Sequence, residues 1–569
     1  MRKKCLFLSL LSLFSLTSCQ LVDAFKDLIN GGDNKSEEQA PAETDNDQKE
    51  ESGDKDPPPD PRKVGEFYGG ITINEHYHGY EFSKSTEVIS RPSSGIGTIN
   101  IYSFNDFHGA VLETDNEAGL KLTANFYKTK SKEENTLIID QGDTWQGSFE
   151  SNYQYGAIVQ DVFNYAGVSL RTVGNHDFDW GLSKLESTNN RRIGDDYIPT
   201  LAGNVYNYTD GQVGKTQQSK YGREYATFIL DNGVKVGVIG VIGESQITTI
   251  CSQLVSTVAF TDHIEKIKEL SDFLRTEKEC DIIIASAHEG SADMIEHGLA
   301  DISPTTHKRY TDLVLGGHKH YKQEYTENGV KFVQWASNGA STGMISLKYN
   351  FETNQLVDDQ TSVETYYPNY LRAYYSEIDP EIEEMVDSYV ATTSPKAEEV
   401  LSENFVGNFD DDNLARLMTE AIFDRVSETV DIDFSVCNYA RSSFEGTTFT
   451  YGDLYRCFPF DNQIILMDVS SYYGINNIKW NHGYSGDEHP TISTGNTYKC
   501  AIVDYIALHV DENRQYDKFF DANNGYEVFN DGEGNPPVYR DILYSYLKKN
   551  PDKVFDASNY TENSDHFVG

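Results

Sequence analysis

The segment Arg171-Thr172-Val173-Gly174-Asn175-His176-Asp177-Phe178-Asp179 joins a short strand-like run to an amide, an imidazole and two carboxylates. The change from the run to this group of polar side chains indicates a junction between a strand and a loop. Ligands of α/β proteins gather outside the carboxyl ends of strands. The segment is therefore a candidate functional site in an α/β fold.

Four further motifs carry side chains of the same chemistry, most of them directly after an apolar run. They are Asp106-Phe107-His108 after residues 99–104, Gly142-Asp143 after residues 137–139, His288 after residues 282–285, and Gly317-His318-Lys319-His320 after residues 313–315. Because each motif comes from a separate strand-to-loop junction, the loops can converge on one point. Oxygen ligands mixed with imidazole suit divalent Zn, Mn, Fe or Co better than a thiolate site would. Each motif alone is a weak signal, but the set indicates a centre for divalent metal ions.

From residue 98 onward, short apolar runs alternate with helical stretches, as expected for an α/β sandwich. Residues 225–230 and 234–241 flank Asp231-Asn232-Gly233, and this predicts a β-hairpin because Asn-Gly tolerates the φ angles of a tight turn. The apolar spacing within residues 264–274 predicts a helix.

A break in the pattern follows near residue 360. Asp379-Pro380 predicts the start of a connecting helix, since aspartate caps helices and proline fits their first turn. A second amphipathic helix around Leu414 opens another module, which continues to about Phe555.

The composition limits the classes of partner. The chain has 569 residues, with 90 acidic and 47 basic side chains and a formal net charge of −43. A single hydrophobic core stops growing near roughly 250–300 residues, so at least two domains are expected. The acidity argues against a nucleic acid polymer as partner, because such binding depends on Lys and Arg neutralising phosphates. A small phosphorylated substrate is compatible with this composition, provided that a local group supplies positive charge.

The N-terminus has the pattern of an export signal. Three basic residues precede an apolar run over residues 6–16, which has the length of a signal-peptide core. The following Leu16-Thr17-Ser18-Cys19 resembles a bacterial lipobox, in which Cys19 becomes the lipid-bearing first residue of the mature protein. An ordinary secretory signal with an incidental cysteine is the alternative.

The expected lipoprotein signal peptide covers residues 1–19, and the acidic residues 20–65 predict a disordered stalk. The chain would then be exported and lipid-anchored to the bacterial cell membrane, with its folded part extracytoplasmic. Five cysteines remain without C-x-x-C spacing, and we expect buried free thiols. They are Cys251, Cys280, Cys437, Cys457 and Cys500.

In their order, the motifs resemble those of the calcineurin-like metallophosphoesterases, and the tail of the chain narrows the resemblance to the 5′-nucleotidase/UDP-sugar hydrolase family. The resemblance covers roughly residues 98–515. It implies a four-layer αββα metallophosphoesterase sandwich followed by a smaller α/β substrate-binding domain. The implied boundaries are residues 98–355 for the metallophosphoesterase domain, 356–398 for the connecting helix and 399–560 for the 5′-nucleotidase C-terminal domain.

The resemblance also implies two divalent metal ions and a catalytic pair. One ion would be held by Asp106, His108 and His320, the other by Asn175, His288 and His318, and both by a bridging Asp143. Two cations about 3.5–4 Å apart need a shared anionic ligand, and a water held between them can attack phosphorus in line. His176 would stabilise charge on the phosphoryl oxygens, while Asp179 orients and charges it. Asp177 is given no direct role.

For the second module, the resemblance implies substrate-binding residues. They are Asn438 and Arg441 near the substrate, Phe460 and Tyr505 as two aromatic faces around a nucleobase, and Asp511 after the second aromatic residue. The alternative for both rings is that they fill the core. The module departs from the family's pattern: the glycine-rich run before Arg441 reads Asn438-Tyr439-Ala440, residues 407–409 lack the expected basic residue, and residues 508–511 replace a Gly-Gly-Asp.

The leading hypothesis is a surface-anchored, metal-dependent phosphohydrolase that removes phosphate from extracellular nucleotides. A nucleoside 5′-monophosphate is preferred, and UDP-sugars or nucleoside polyphosphates are further candidates. The alternatives are a cyclic-nucleotide or other phosphodiesterase on the same fold, and a non-catalytic surface ligand-binding lipoprotein. The complete donor set together with His176 disfavours the binding protein, because a pure binder needs no charged histidine beside a leaving group.

Overall fold

The computed structural model describes residues 63–64, 67–73, 76–218, 220–520, 525–532 and 534–568. The expected signal peptide, the lipidation site Cys19 and the predicted stalk up to residue 62 lie outside the described residues. Within the described ranges, no helix combines the length and the apolar character that crossing a bilayer requires.

Two β-sheets packed face to face form the N-terminal part, which we define as residues 63–366. The first sheet has nine strands in the spatial order Lys63–Val64, Phe67–Ile73, His78–Ser83, Tyr225–Ile229, Lys235–Ile242, Ile282–His288, Leu313–Leu315, Val330–Gln334 and Gln323–Glu327. The second has seven, in the order Gln355–Leu356, Thr342–Asn350, Ile96–Phe104, Thr136–Asp140, Leu170–Thr172 and Thr200–Leu201, with Ser362–Tyr366 also paired to Thr342–Asn350. Buried side chains of both sheets, such as Ile101 and Ile284, form one core, so the sheets are held together by burial of their apolar faces.

A helix covers the outer face of the first sheet. His263–Thr276 is capped by Asp262, whose side chain accepts a hydrogen bond from the backbone of Glu265. On its buried face, Ile267 packs with sheet residues such as Ile239. The predicted helix over residues 264–274 is confirmed.

Two helices, Gly119–Lys130 and Ala157–Ala166, cover the outer face of the second sheet. The ring of Phe104 contacts Tyr127 at 5.0 Å and Phe163 at 5.1 Å between ring centroids. The layers therefore run helix, sheet, sheet, helix, and the predicted αββα sandwich is confirmed. The remaining elements of this part are the helices Phe149–Asn152, Leu182–Asn189 and Ser291–Met294, the 3₁₀ turns Asn175–Phe178, Glu244–Thr249 and Asp358–Gln360, and a three-stranded sheet of Val258–Phe260, Val205–Thr209 and Gln212–Gln217.

The predicted hairpin is also confirmed. Tyr225–Ile229 and Lys235–Ile242 pair antiparallel, with Ile229 opposite Lys235. Gly233 in the turn has a φ of +75°, which glycine adopts without strain.

A second hairpin lies ahead of the expected start of the fold. Phe67–Ile73 and His78–Ser83 pair antiparallel, and the latter strand pairs in parallel with Tyr225–Ile229. Lys63–Val64 pairs with the first of these strands. The nine-stranded sheet therefore includes strands before residue 98, and one of them, Lys63–Val64, falls within the predicted stalk of residues 20–65.

Two helices, Pro368–Tyr375 and Pro380–Ala397, connect the N-terminal part to the rest of the chain. The side chain of Asp379 accepts a hydrogen bond from the backbone of Glu381, with Pro380 in the first turn. The predicted cap is confirmed. The buried face of this helix contains Ile382, Met385, Val386 and Tyr389.

The C-terminal part, defined as residues 400–568, has a smaller sheet with helices around it. The sheet contains Phe434–Val436, Tyr498–Val503, Ile464–Val469 and Glu527–Val528, and three strand pairs join Val400–Ser402 to Phe449–Thr450, Phe405–Val406 to Phe555–Asp556, and Asn408–Phe409 to Phe444–Glu445. The helices are Asp411–Ser427, Tyr451–Cys457, Tyr472–Trp480, Asp504–Ala507 and Tyr539–Lys549, and a 3₁₀ turn covers Ala557–Asn559. Asp411–Ser427 is the predicted amphipathic helix. The five cysteines are buried free thiols, as predicted.

Candidate metal centre and substrate pocket

The seven predicted metal donors lie at the carboxyl ends of five strands. They are Asp106 and His108 after Ile96–Phe104, Asp143 after Thr136–Asp140, Asn175 after Leu170–Thr172, His288 at the end of Ile282–His288, and His318 and His320 after Leu313–Leu315. Five of them have positive φ angles between 48° and 75°: Asp106, His108, Asp143, His318 and His320. This backbone conformation costs an L residue about 1–3 kcal/mol and is concentrated at functional sites. The surrounding structure therefore holds these side chains in place against backbone strain.

The first donor group contains Asp106, His108, His320 and Asp143, whose ligand atoms all lie within 4.8 Å of one another. Nε2 of His108 lies 3.0 Å from Nε2 of His320. The same nitrogen lies 3.9 Å from a carboxylate oxygen of Asp106 and 3.9 Å from one of Asp143. Both carboxylates are fully buried, whereas the His320 side chain is 35% exposed, so this group opens to solvent beside His320.

The second donor group shares Asp143 and adds His288, His318 and Asn175. Nε2 of His288 lies 3.1 Å from Oδ2 of Asp143 and 3.0 Å from Oδ1 of Asn175. Oδ1 of Asn175 lies 3.2 Å from Nδ1 of His318. The structure thus brings all seven predicted donors together, with Asp143 belonging to both groups.

The hydrogen bonds around these groups leave lone pairs that point at one another. Nδ1 of His108 donates to the carbonyl oxygen of Gln146 at 2.9 Å, and Nδ1 of His288 donates to that of Gln141 at 2.8 Å. A backbone carbonyl only accepts, so the proton of each neutral ring lies on Nδ1, and the neutral ring offers its Nε2 lone pair, as a metal-ligating imidazole requires. Oδ2 of Asp143 is buried without a hydrogen-bond donor. These residues fit divalent cations.

The negative charge of the site also favours the binding of divalent cations. Burial opposes protonation of His288, yet the carboxylates of Asp143 and Asp106 raise its pKa to about 10. In the protein alone, the buried carboxylates therefore draw a proton onto this imidazole. A bound dication would meet the same demand for positive charge.

The turn after Leu170–Thr172 approaches the shared carboxylate closely. A Cβ at Gly174 would lie 2.2 Å from Oδ1 of Asp143, so only glycine fits there. The backbone N–H of His176 donates to the same oxygen at 2.8 Å. The turn thereby fixes one oxygen of Asp143 and leaves the other for the donor groups.

The predicted catalytic pair is joined by a hydrogen bond. Nδ1 of His176 lies 2.7 Å from Oδ2 of Asp179. Burial opposes the charged imidazole, but the carboxylates of Asp179 and Asp143 raise the pKa of His176 above its usual value. The cationic form of His176, which can stabilise negative charge, is thus favoured.

A fully buried arginine supports this turn, and the sequence pattern did not single it out. Arg171 pairs with Asp177 and donates to Oδ1 of Asn189 at 2.9 Å and to Oγ1 of Thr144 at 3.2 Å. The same Asp177 carboxylate accepts from the backbone N–H of Gly174 at 2.8 Å. Arg171 therefore ties the loop of the shared carboxylate to the turn that carries the histidine pair. The only signal in the sequence was a charged residue inside a strand-like run.

A cavity of about 590 Å³ lies between the N-terminal and C-terminal parts. From the N-terminal part it is lined by Asn175, His176, Asp179 and His318, and from the C-terminal part by Asn438, Arg441, Phe460 and Tyr505. Four of the five predicted substrate-binding residues thus reach one cavity together with two of the donors, Asn175 and His318.

Asp511 is the exception, because it does not line this cavity. Its carboxylate accepts hydrogen bonds from the backbone N–H groups of Asn513 at 2.9 Å and Gln515 at 2.8 Å. The residue therefore shapes a local turn, and the structure does not bring it to the substrate pocket.

Two side chains of the C-terminal part reach the predicted catalytic groups directly. The ring of Phe460 stacks on His176, with 5.6 Å between ring centroids and 26° between ring planes. Nη2 of Arg441 lies 3.4 Å from Nε2 of His108. The described structure is therefore an arrangement in which the C-terminal part covers the donor groups.

Several cavity residues were not predicted as site residues. Nζ of Lys184 lies 3.9 Å from the ring centroid of Tyr155, whose ring is 5.7 Å from that of Trp180. On the opposite side, Nδ2 of Asn462 donates to Asp504 at 2.6 Å. The spacing of these residues along the chain follows no pattern. Only the packing of the N-terminal part against the C-terminal part shows that they line the same cavity.

The comparisons with known proteins agree with this geometry. Residues 99–322, which include all seven donors, match the family profile described as Calcineurin-like phosphoesterase. The chain is 24% identical over 425 residues to Protein UshA of Yersinia enterocolitica, an alignment covering 65% of this chain and 74% of that protein. It is 23% identical over 390 residues to the 5′-nucleotidase of Vibrio cholerae, covering 59% and 65%. A solved 5′-nucleotidase precursor from Thermus thermophilus superposes with a TM-score of 0.63 at 16% identity, covering 80% of this chain and 96% of that one.

These matches bear on three predictions. The superposition confirms the predicted fold class, a metallophosphoesterase sandwich followed by a smaller α/β part. The profile and the relatives confirm the predicted resemblance. They also confirm the predicted class of activity, a metal-dependent phosphoester hydrolase.

Proposed function

We propose that this chain, in which residues 99–322 form a calcineurin-like phosphoesterase domain, removes phosphate from extracellular nucleotides as a 5′-nucleotidase, with UDP-sugars as further substrates. The observation that carries the proposal is the single cavity in which metal donors, a histidine–aspartate pair, an arginine and two aromatic rings meet. Relatives that bear the names UshA and 5′-nucleotidase support a nucleotide as the substrate.

The donor groups would hold two divalent ions. Asp106, His108 and His320 would bind one ion, Asn175, His288 and His318 the other, and Asp143 both. When bound, such ions supply Lewis acidity and offset the negative charge of the phosphoryl group during attack by water. Mixed oxygen and imidazole donors suit Zn, Mn or Co.

His176 acts on the phosphoryl group from outside the donor set. Its Nδ1 is held by Asp179 at 2.7 Å, so Nε2 is the nitrogen that is left to donate to a phosphoryl oxygen. The carboxylates of Asp179 and Asp143 raise the pKa of His176, which favours the charged ring. Because negative charge grows on these oxygens in the transition state, a fixed cationic donor lowers the barrier.

The C-terminal part binds the remainder of the substrate. The guanidinium of Arg441, 3.4 Å from His108, binds phosphate oxygens beside the donor groups, where its planar fork can make two bonds. Phe460 and Tyr505 stack on the base, and Asn438 adds a hydrogen bond to the substrate. Stacking of this kind tolerates different bases, because every base has a π face.

The enzyme works outside the cytoplasm, anchored by a lipid on Cys19. The supporting observations are the basic N-terminal residues, the apolar run over residues 6–16 and the lipobox-like segment that follows it. Phosphate removal at that location would convert nucleotides, which are too charged to cross a bilayer unaided, into neutral nucleosides.

The test is a substrate panel assayed with the purified protein. We expect phosphate release from AMP in the presence of Mn²⁺ or Zn²⁺, loss of this activity with a chelator, and its return when metal is added back. UDP-glucose, cyclic AMP and bis(p-nitrophenyl) phosphate complete the panel. A metal-loaded protein that releases no phosphate from any nucleotide would contradict the proposal, and faster cleavage of the diesters than of AMP would favour a phosphodiesterase.

A further inference from the structure

We propose that Arg540, which lies outside every motif described above, is a positioning residue that holds Phe460 in place for stacking on the substrate's base. Arg540 lies in the first turn of Tyr539–Lys549, 80 residues along the chain from Phe460. The inference rests on the proposed function, because it assigns Arg540 to the recognition of the nucleoside half of the substrate.

The Arg540 guanidinium binds the loop before and after the ring-bearing residue. Nη1 donates to the carbonyl oxygens of Phe458 at 3.0 Å and Phe460 at 2.7 Å. Nη2 donates to the carboxylate of Asp461 at 2.5 Å and to the hydroxyl of Tyr455 at 3.0 Å. One side chain therefore fixes three positions around the stacking residue.

Pro459, between Phe458 and Phe460, is held by a side chain of the N-terminal part. Nδ2 of Asn152, in the N-terminal part, donates to the carbonyl oxygen of Pro459 at 3.3 Å. All three backbone carbonyls of Phe458-Pro459-Phe460 thus accept bonds from side chains. A loop without regular hydrogen bonding would otherwise move, and fixing it in advance lowers the entropy cost of binding.

Arginine suits this task, and lysine does not replace it. Arg540 is only 4% exposed, and its guanidinium carbon lies 3.7 Å from the ring centroid of Tyr455. The planar fork can serve two carbonyls, a hydroxyl and a carboxylate at once, while an ammonium group on a flexible stem cannot reproduce that geometry. Arg540→Lys therefore keeps the buried charge but loosens the loop.

The experiment compares two substrates and two buried arginines. KM and kcat are measured for AMP and for glycerol 2-phosphate, a phosphomonoester without a ring, in Arg540→Lys, Phe460→Ala and the double variant. Arg275→Lys is the matched control, because Arg275 is also buried and donates to the carbonyls of Cys280 and Asp281 and to the Asp312 carboxylate, away from the cavity. Near-UV circular dichroism and melting temperature report on folding.

We expect Arg540→Lys to raise KM for AMP about 10-fold, within the range that loss of one stacking contact allows. KM for glycerol 2-phosphate and kcat should stay within about 2-fold, below the effect of one typical hydrogen bond. In the Phe460→Ala background, Arg540→Lys should add little, because the ring it positions is gone. Arg275→Lys should change melting temperature alone.

Two results from the variants would overturn the inference and leave the proposed function intact. An equal rise in KM for both substrates would show a general structural role for Arg540. A full additional effect in the Phe460→Ala background would show that Arg540 does not act through Phe460. If the unsubstituted protein hydrolyses glycerol 2-phosphate but no nucleotide, the proposed function fails, and the inference fails with it. If the unsubstituted protein hydrolyses AMP but the variants give either of the two contradicting results, the proposed function is retained and only the inference fails.

Discussion

Replacing Asp179 by asparagine tests the catalytic pair without touching a metal donor. The amide keeps the shape of the side chain but removes the charge that lies 2.7 Å from Nδ1 of His176. The side chains of His176 and Asp179 are each 11% exposed, so water can replace little of the lost interaction. A hydrogen bond to a charged group is worth about 1.5–3 kcal/mol, which corresponds to a fall in kcat of about 10- to 100-fold.

The pH dependence has a defined sign. The Asp179 carboxylate raises the pKa of His176 against the effect of burial, so its removal lowers that pKa. Activity that needs the cationic ring should then be lost at a lower pH in Asp179→Asn than in the unsubstituted protein. The shift appears as an earlier decline on the alkaline side of the kcat profile.

The assay is steady-state kinetics on AMP with metal content measured on the same samples. Bound metal should be unchanged, and Asp179→Asn should add nothing in a His176→Ala background, because the two residues act as a unit. An unchanged kcat, a loss of metal, or a full additional effect in that background would each refute the pair as described.

Three further predictions concern single side chains. Asp143→Ala removes the carboxylate that both donor groups share and should abolish binding of both ions, so elemental analysis that still finds two ions would contradict the bridging role. Phe460→Ala should raise KM for AMP about 10-fold or more through lost stacking, while glycerol 2-phosphate should be unaffected, and equal effects on both substrates would dismiss the stacking. Arg171→Met leaves the Asp177 carboxylate buried without its cation, which costs about 3–5 kcal/mol, and should lower the melting temperature. Arg171→Met combined with Asp177→Asn should recover most of that loss, and a double variant as unstable as the single one would exclude the ion pair as the cause.

The donor groups could be predicted from the sequence because each donor follows its own strand. Short buried strands such as Thr136–Asp140 and Ile282–His288 leave clear apolar runs, and the polar residues after them are read directly. Parallel strands of one sheet end on the same side, so the donor loops within each sheet are expected to converge. The donors come from strands of both sheets, and the packing of the two sheets brings these strand ends together. The same local logic gave the hairpin at Asn232-Gly233 and the helix cap at Asp379.

The hairpin of Phe67–Ile73 and His78–Ser83 was not predicted because its strands lie near the edge of the sheet, next to the edge strand Lys63–Val64. Most side chains of its first strand are partly or fully exposed, and two of its residues are glycines, so neither an apolar run nor a clean alternation marks it. Only pairing with Tyr225–Ile229, far along the chain, makes it part of the core. Pairing over such a separation leaves no local pattern in the sequence.

The prediction of the substrate pocket was incomplete because the pocket also depends on packing between segments that are far apart in the chain. Phe460 and Arg441 were identified by the resemblance, but their positions on His176 and His108 depend on how the two parts pack. Asp511 was predicted to bind substrate because the family has an aspartate after the second aromatic residue. In this segment, however, the sequence departs from the family's pattern. The Asp511 carboxylate instead closes a local turn. No sequence pattern singles out Arg540, because a buried arginine on an amphipathic helix cannot be distinguished in the sequence from an exposed one.

We propose that seven side chains from five strand ends hold two divalent ions that share Asp143. Anomalous X-ray scattering from crystals of the metal-loaded protein, with the ion count per chain taken from elemental analysis, tests it most directly. We predict two ions, one against His108 and His320 and the other against His288 and His318. A single ion, or two ions that do not both contact Asp143, would contradict it.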